Sequence, residues 1–249
     1  MVRQGGVRQG GSGGTGRGPG RRRVLASLAG AGVLAIGGLP ARVIAQGGRE
    51  GVDLVLLMAV DASASISRGT LDFQLRGHAA AFRDPAVARA VTGGALGRIA
   101  VQLAQFAGPE TLTTLLPWTV LTGEGDCRAF ADRVDAAPGI TMGGSTAIGS
   151  AMVAAVQTLD TAPFAAPRRT LDIVSNGFSN AGIDLPSARG HAAAAGVTVN
   201  ALAILDEFDW LEAYYRDKVV TGQGAFVRTA AGMEDFAAAF RDKLVTEIA

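Results

Sequence analysis

Residues 55–67 read VLLMAVDASASIS, an apolar run that ends in one carboxylate followed by hydroxyl residues at alternate positions: Asp61, Ser63 and Ser65. Alternate residues of an extended turn point the same way, so the two serines share a face while Asp61 supplies charge. Oxygen donors gathered at one point suit a hard divalent cation such as Mg²⁺. Such an ion takes oxygens in near-octahedral array, keeps several waters and is held by only one or two carboxylates. Neutral hydroxyls leave the ion electron-poor, which favours capture of a partner's carboxylate in the open position.

A cation site needs more than one loop, so the elements around the motif matter. Residues 52–60 are continuously apolar apart from Asp53, as in a strand covered on both faces. Helical spacing follows at 71–82 in Leu71, Leu75, Ala79 and Phe82, with Ser67 as a cap. Residues 99–106 and 112–121 read as two strands joined by a short Gly-Pro turn, and Pro117 puts the second at a sheet edge. A short helix at 127–134 leads to ITMGGSTAIGSAMVAAVQTL, whose second half is helical. Residues 171–175 and 197–205 are strands separated by an alanine-rich helix at 186–195. A helix at 209–218, a strand at 225–229 and an amphipathic helix at 233–248 follow. Strands interleaved with helices predict an α/β domain, a mainly parallel sheet with helices on both faces. Ligands of such sheets sit at the carboxyl ends of the strands. The DASAS turn, the loop before the helix at Ser145 and the loop after Val174 all fall there.

DASAS, the later GGST and then DIVSNGFSN resemble the three loops of the von Willebrand factor type A (vWA) domain. Its metal-ion-dependent adhesion site, or MIDAS, reads Asp-x-Ser-x-Ser, then Thr, then Asp. The resemblance covers about residues 52–249. The tail GVTVNALAIL with FDWLEAYYRDKVVTGQGAFV is similar to an exported bacterial branch of that fold whose function is unknown. It implies a three-layer Rossmann-like fold, mainly parallel with one antiparallel edge strand. It also implies Ser63, Ser65 and Thr146 as hydroxyl ligands, with Asp61 holding a metal-bound water or the metal itself. The fifth position, aspartate in the family, is Asn176 here.

Asn176 keeps an amide oxygen that can accept a hydrogen bond or touch a cation, but it removes one formal negative charge. Affinity for the ion falls, while a less negative site pulls harder on an incoming acid. Asp172 reads as the start of a strand and cannot take that place; Asp184 on the next loop is better situated. Two readings stay open. One is an exported binding module holding Mg²⁺, or another divalent cation such as Mn²⁺ or Ca²⁺, whose partner is an exported protein offering an Asp or Glu. The other is a metal-free structural or interaction domain with a degenerate site.

Enzyme readings fare worse, and the expectation is a non-enzyme. A hydrolase using Ser179 would need a histidine base, and the chain has only His78 and His191, both in helical stretches and each expected to be solvated or at the core edge. The glycines before Thr146 lack a P-loop lysine. A single weakly held ion with no neighbouring acid or base is a poor catalyst. Phe208, Trp210, Tyr214 and Tyr215, set among Asp206, Glu207, Asp209 and Glu212, form either a partner surface or a helix packing Trp210 and Tyr214 on the sheet at i, i+4. Trp118 and Cys127 read as core residues.

Residues 1–45 hold seven arginines and no acid, then an apolar, glycine-broken stretch ending in Val43-Ile44-Ala45, the pattern of an export signal. Arg21-Arg22-Arg23-Val24-Leu25 is similar to the twin-arginine signal. The apolar stretch at 24–39 falls short of the roughly 20 residues of a spanning helix, so cleavage is expected ahead of anchoring, leaving no stable membrane span. The expected organisation is signal 1–45, linker 46–51 and domain 52–249, in a periplasmic or secreted protein. Without the signal, 16 basic residues face 22 acids, a net −6 that argues against nucleic acid or anionic membrane as partner.

Overall fold

The structure, a computed structural model, describes residues 48–110 and 112–249. The expected signal at 1–45 and the first two residues of the expected linker lie outside the described residues.

The domain begins with β1 (Glu50–Gly51) and β2 (Leu54–Asp61), and every residue of β2 is buried. Alternate β2 side chains serve different cores: Leu54, Leu56, Met58 and Val60 face one, while Val55, Leu57 and Ala59 face the other. Asp53, the interruption in this apolar run, accepts hydrogen bonds from the backbone N–H groups of Leu96 and Arg98. Ser67 caps α1 (Arg68–Arg83) by accepting from Thr70 N at 3.1 Å. Asp84 then caps α2 (Pro85–Gly93), accepting from Ala86 N at 2.8 Å. This second helix is absent from the sequence expectations, although Val87 and Val91 carry its buried face.

β3 (Ile99–Phe106) and β4 (Leu112–Leu121) form the antiparallel pair, with β4 at the sheet edge where Pro117 suggests it. α3 (Glu124–Ala136), α4 (Ile148–Asp160), β5 (Phe164–Ala165) and β6 (Arg168–Ser175) follow. The chain continues through α5 (Leu185–Ala194), β7 (Thr198–Ile204), α6 (Leu211–Lys218), β8 (Val227–Ala230) and α7 (Met233–Ile248). The six-stranded sheet runs β4-β3-β2-β6-β7-β8, and β1 pairs with β5 in a separate parallel ribbon. One face is covered by α1, α2, α3 and α7, the other by α4, α5 and α6. Because β3 lies on one side of β2 and β6 on the other, the loops after β2 and β6 diverge. Their carboxyl ends form the switch point where this architecture holds ligands.

Three expectations are corrected. Asp172 does not start its strand: β6 begins at Arg168, and Asp172 lies inside it, fully buried, facing α7. There its Oδ1 is 2.6 Å from Lys243 Nζ, and Lys243 also reaches Glu247 at 3.0 Å. Trp210 does not pack on the sheet; it is 46 % exposed, and the buried pair of α6 is Leu211 and Tyr215. His78 is neither solvated nor at the core edge but fully buried, with its ring against Phe240 at 3.9 Å between centroids.

Candidate metal centre

Asp61 is the last residue of β2 and is fully buried. Its Oδ1 accepts from Ser63 N at 2.8 Å and its Oδ2 from Ser175 Oγ at 2.6 Å. Burial pushes this carboxyl's pKa up, and the bonds from Ser175 and Ser63 pull it back. A buried carboxylate with no ion-pair partner among the described residues is a natural place for a metal ion, which would remove that burial penalty.

The second loop is tied to the first through backbone. Met142 N and Gly143 N both donate to Ala62 O, and Ala64 N donates to Gly144 O. Gly143 and Gly144 both have positive φ, 67° and 75°, a conformation that favours glycine over any L side chain. This turn presents Thr146, whose Oγ1 donates to Ser63 Oγ at 2.8 Å. The third loop follows β6. Thr146 N donates to Asn180 Oδ1 and Asn180 N to Thr146 O, each at 2.9 Å, while Ser65 Oγ donates to Asn176 Oδ1 at 3.3 Å. From behind, Tyr215 OH donates to Gly177 O at 2.8 Å. All five residues singled out in the sequence, Asp61, Ser63, Ser65, Thr146 and Asn176, therefore meet.

These residues fit a small hard cation. Oxygens about 2.0–2.1 Å from an octahedral Mg²⁺ stand about 2.9 Å apart when adjacent, close to the 2.8 Å and 3.3 Å separations here. The donors are hydroxyls, one amide and one carboxylate; no cluster of three or more His, Cys, Asp or Glu able to hold a metal occurs among the described residues. Asp184 does not substitute for the missing aspartate, because it caps α5 by accepting from Ser187 N at 2.9 Å. Ser65 is exposed, and the cluster opens there onto a crevice of about 180 Å³ shared with Phe178, Glu207 and Phe208.

Sequence reasoning missed the supports: Ser175, which holds Asp61, and Asn180, which holds Thr146. The one local signal was a hydroxyl and an amide in an otherwise apolar strand end and its loop. Ser179, the other candidate nucleophile, donates its backbone N–H to Tyr214 OH at 3.1 Å, while His78 lies on α1 and His191 on α5.

Solved structures share the fold. The mussel byssus protein PTMP1, in a structure with a zinc-occupied MIDAS motif, matches 80 % of this chain and 48 % of its own at 20 % identity, TM-score 0.57. The vWF domain of the type V pili tip protein Mfa5 from Porphyromonas gingivalis matches 79 % of this chain and 95 % of its own at 12 % identity, TM-score 0.53. A von Willebrand factor type A protein from Catenulispora acidiphila matches 79 % and 43 % at 14 % identity, TM-score 0.53. The chain thus spans less than half of the mussel and Catenulispora proteins. No curated protein sequence matches it. The fold is that of a vWA domain, and since the family described as "Protein of unknown function (DUF1194)" matches residues 51–249, the chain belongs to that family.

Proposed function

We propose that the protein is an exported, adhesion-type interaction module. Asp61, Ser63, Ser65, Thr146 and Asn176 hold a divalent cation, and the cation captures an acidic group of a partner protein. The observation that carries this reading is the convergence of three loops on one buried carboxylate, with oxygens at the spacing of adjacent octahedral ligands. That the fold is shared by a pili tip protein and a mussel byssus matrix protein supports an adhesion-type role, and the zinc-occupied motif of PTMP1 supports a cation at the equivalent loops. Residues 1–45 would direct the chain to the periplasm or the outside, and no helix among the described residues is long and apolar enough to cross a membrane.

The test is a thermal melt of the full chain in EDTA and in Mg²⁺, Mn²⁺, Ca²⁺ or Zn²⁺. At 100 times its dissociation constant, an ion bound only to the folded state adds about 2.7 kcal/mol, or roughly 5–10 °C for a domain of about 200 residues. The shift is expected in the native protein and in Asn176→Asp, larger in the latter, and absent in Asp61→Ala. A response confined to Asn176→Asp would favour the second reading, a metal-free interaction domain, for which the lost aspartate is the specific observation.

A further inference from the structure

Among the described residues five large hydrophobics are exposed, and two of them stand at the metal cradle: Phe178 lines its crevice and Trp210 packs against Phe178. Ile140 precedes the second loop, Phe178 and Ile183 lie on the third, and Trp210 lies just after β7. Phe178 lies 5.7 Å from both Phe208 and Trp210, and those two rings are 5.1 Å apart, a continuous aromatic surface. Exposed apolar surface gathered in one place marks an interaction site. Its rim carries Asp206, Glu207 and Asp209, exposed and without an ion-pair partner among the described residues.

Resting on the metal-site reading above, we propose that this surface is a second subsite, which takes the ammonium or guanidinium end of a lysine or arginine. The partner is then a peptide segment bearing an acidic and a basic residue close together. Charge complementarity decides between occupants. A wholly apolar partner leaves three carboxylates unanswered, and a wholly acidic one is repelled by them. A cation over the ring faces meets both the rings and the acids. Glu207 and Phe208 line the same crevice as Ser65 and Thr146, so one ligand can reach both subsites. That crevice, about 180 Å³, equals roughly six water molecules, room for two side-chain ends.

The experiment uses the full chain carrying Trp118→Phe, so that Trp210 is the sole fluorescent indole, and capped glycine peptides containing Asp and Lys separated by one to four residues. Matched peptides replace Lys with Gln or Asp with Asn. With saturating Mg²⁺, the best Asp/Lys peptide is expected to bind about tenfold more tightly than its Asp/Gln counterpart. That advantage is expected to vanish in Glu207→Gln/Asp209→Asn, two exposed positions that leave the core untouched. Equal binding of Asp/Lys and Asp/Gln peptides, both abolished by EDTA, would overturn the cation subsite while leaving the metal reading standing. A Lys-over-Gln preference that persists in EDTA and in Asp61→Ala would support the subsite and remove the metal. No binding by any peptide at millimolar concentration would overturn the proposal.

Discussion

Gly149 is the second residue of α4, three positions after Thr146, and it packs directly against the loop carrying Asn176 and Asn180. A Cβ at this position would lie 2.0 Å from Ile183 O and 3.0 Å from Ile183 C. Real Cβ atoms essentially never approach a heavy atom within 3.0 Å, so Gly149→Ala must part helix and loop by about 1 Å. Both groups in the clash are backbone, and no side chain can rotate out of the way. The paired bonds between Thr146 and Asn180, each 2.9 Å, would stretch beyond hydrogen-bond range. Overpacking costs about 1–3 kcal/mol, and each lost hydrogen bond about 1 kcal/mol. The better helix propensity of alanine returns up to about 1 kcal/mol. A net loss of about 3 kcal/mol lowers Tm by roughly 6–12 °C in a domain of this size, and the displaced Thr146 abolishes the cation-dependent shift. Gly190→Ala is the control: nothing lies within 4 Å of its Cβ, and it sits inside α5, so the same substitution is expected to raise Tm by a few degrees. Differential scanning calorimetry with and without Mg²⁺ reads both. Gly149→Ala melting within 2 °C of the native protein, with its cation shift intact, would refute the idea that this contact positions the site.

The buried charges beneath α7 make two further predictions. Lys243 is fully buried with Asp172 at 2.6 Å and Glu247 at 3.0 Å, so Lys243→Met strands two carboxylates and is expected to cost about 3–5 kcal/mol in urea unfolding. Burial raises Asp172 from 3.8 to about 7, so the folded state keeps a proton that the unfolded chain releases. The stability this contributes is complete below about pH 4 and is lost as the pH climbs to about 7. Asp172→Asn should therefore gain on the native protein across that window, by at most about 1.4 kcal/mol per pH unit. His78, lowered to about 4 chiefly by burial, acts in the opposite sense in both proteins and cancels in the difference; a flat difference would refute the assignment. Replacing Arg21 and Arg22 with lysine is expected to keep a tagged chain out of the periplasm, as fractionation would show.

Much of this protein is legible in its sequence because the signals are local. The apolar run of β2 before Asp61 announces a strand covered on both faces, and alternation within DASAS sets two hydroxyls beside one carboxylate over five residues. Pro117 marks an edge strand wherever it occurs, since it has no N–H to donate. The phase of α6 is a different matter. Trp210/Tyr214 and Leu211/Tyr215 are both i, i+4 pairs one residue apart, and periodicity alone is indifferent to a rotation of about 100°. Only packing against β7 buries Tyr215 and leaves Trp210 on the rim of the crevice. The cradle itself depends on contacts as distant as Ser175 to Asp61, 114 residues apart, and Thr146 to Ser63, 83 apart. Sequence by itself determined which residues could ligate a cation, because donor type and local spacing belong to the chain. Tertiary structure decided which of them meet, because a parallel sheet whose winding order reverses at β2 brings together loops that no local pattern connects.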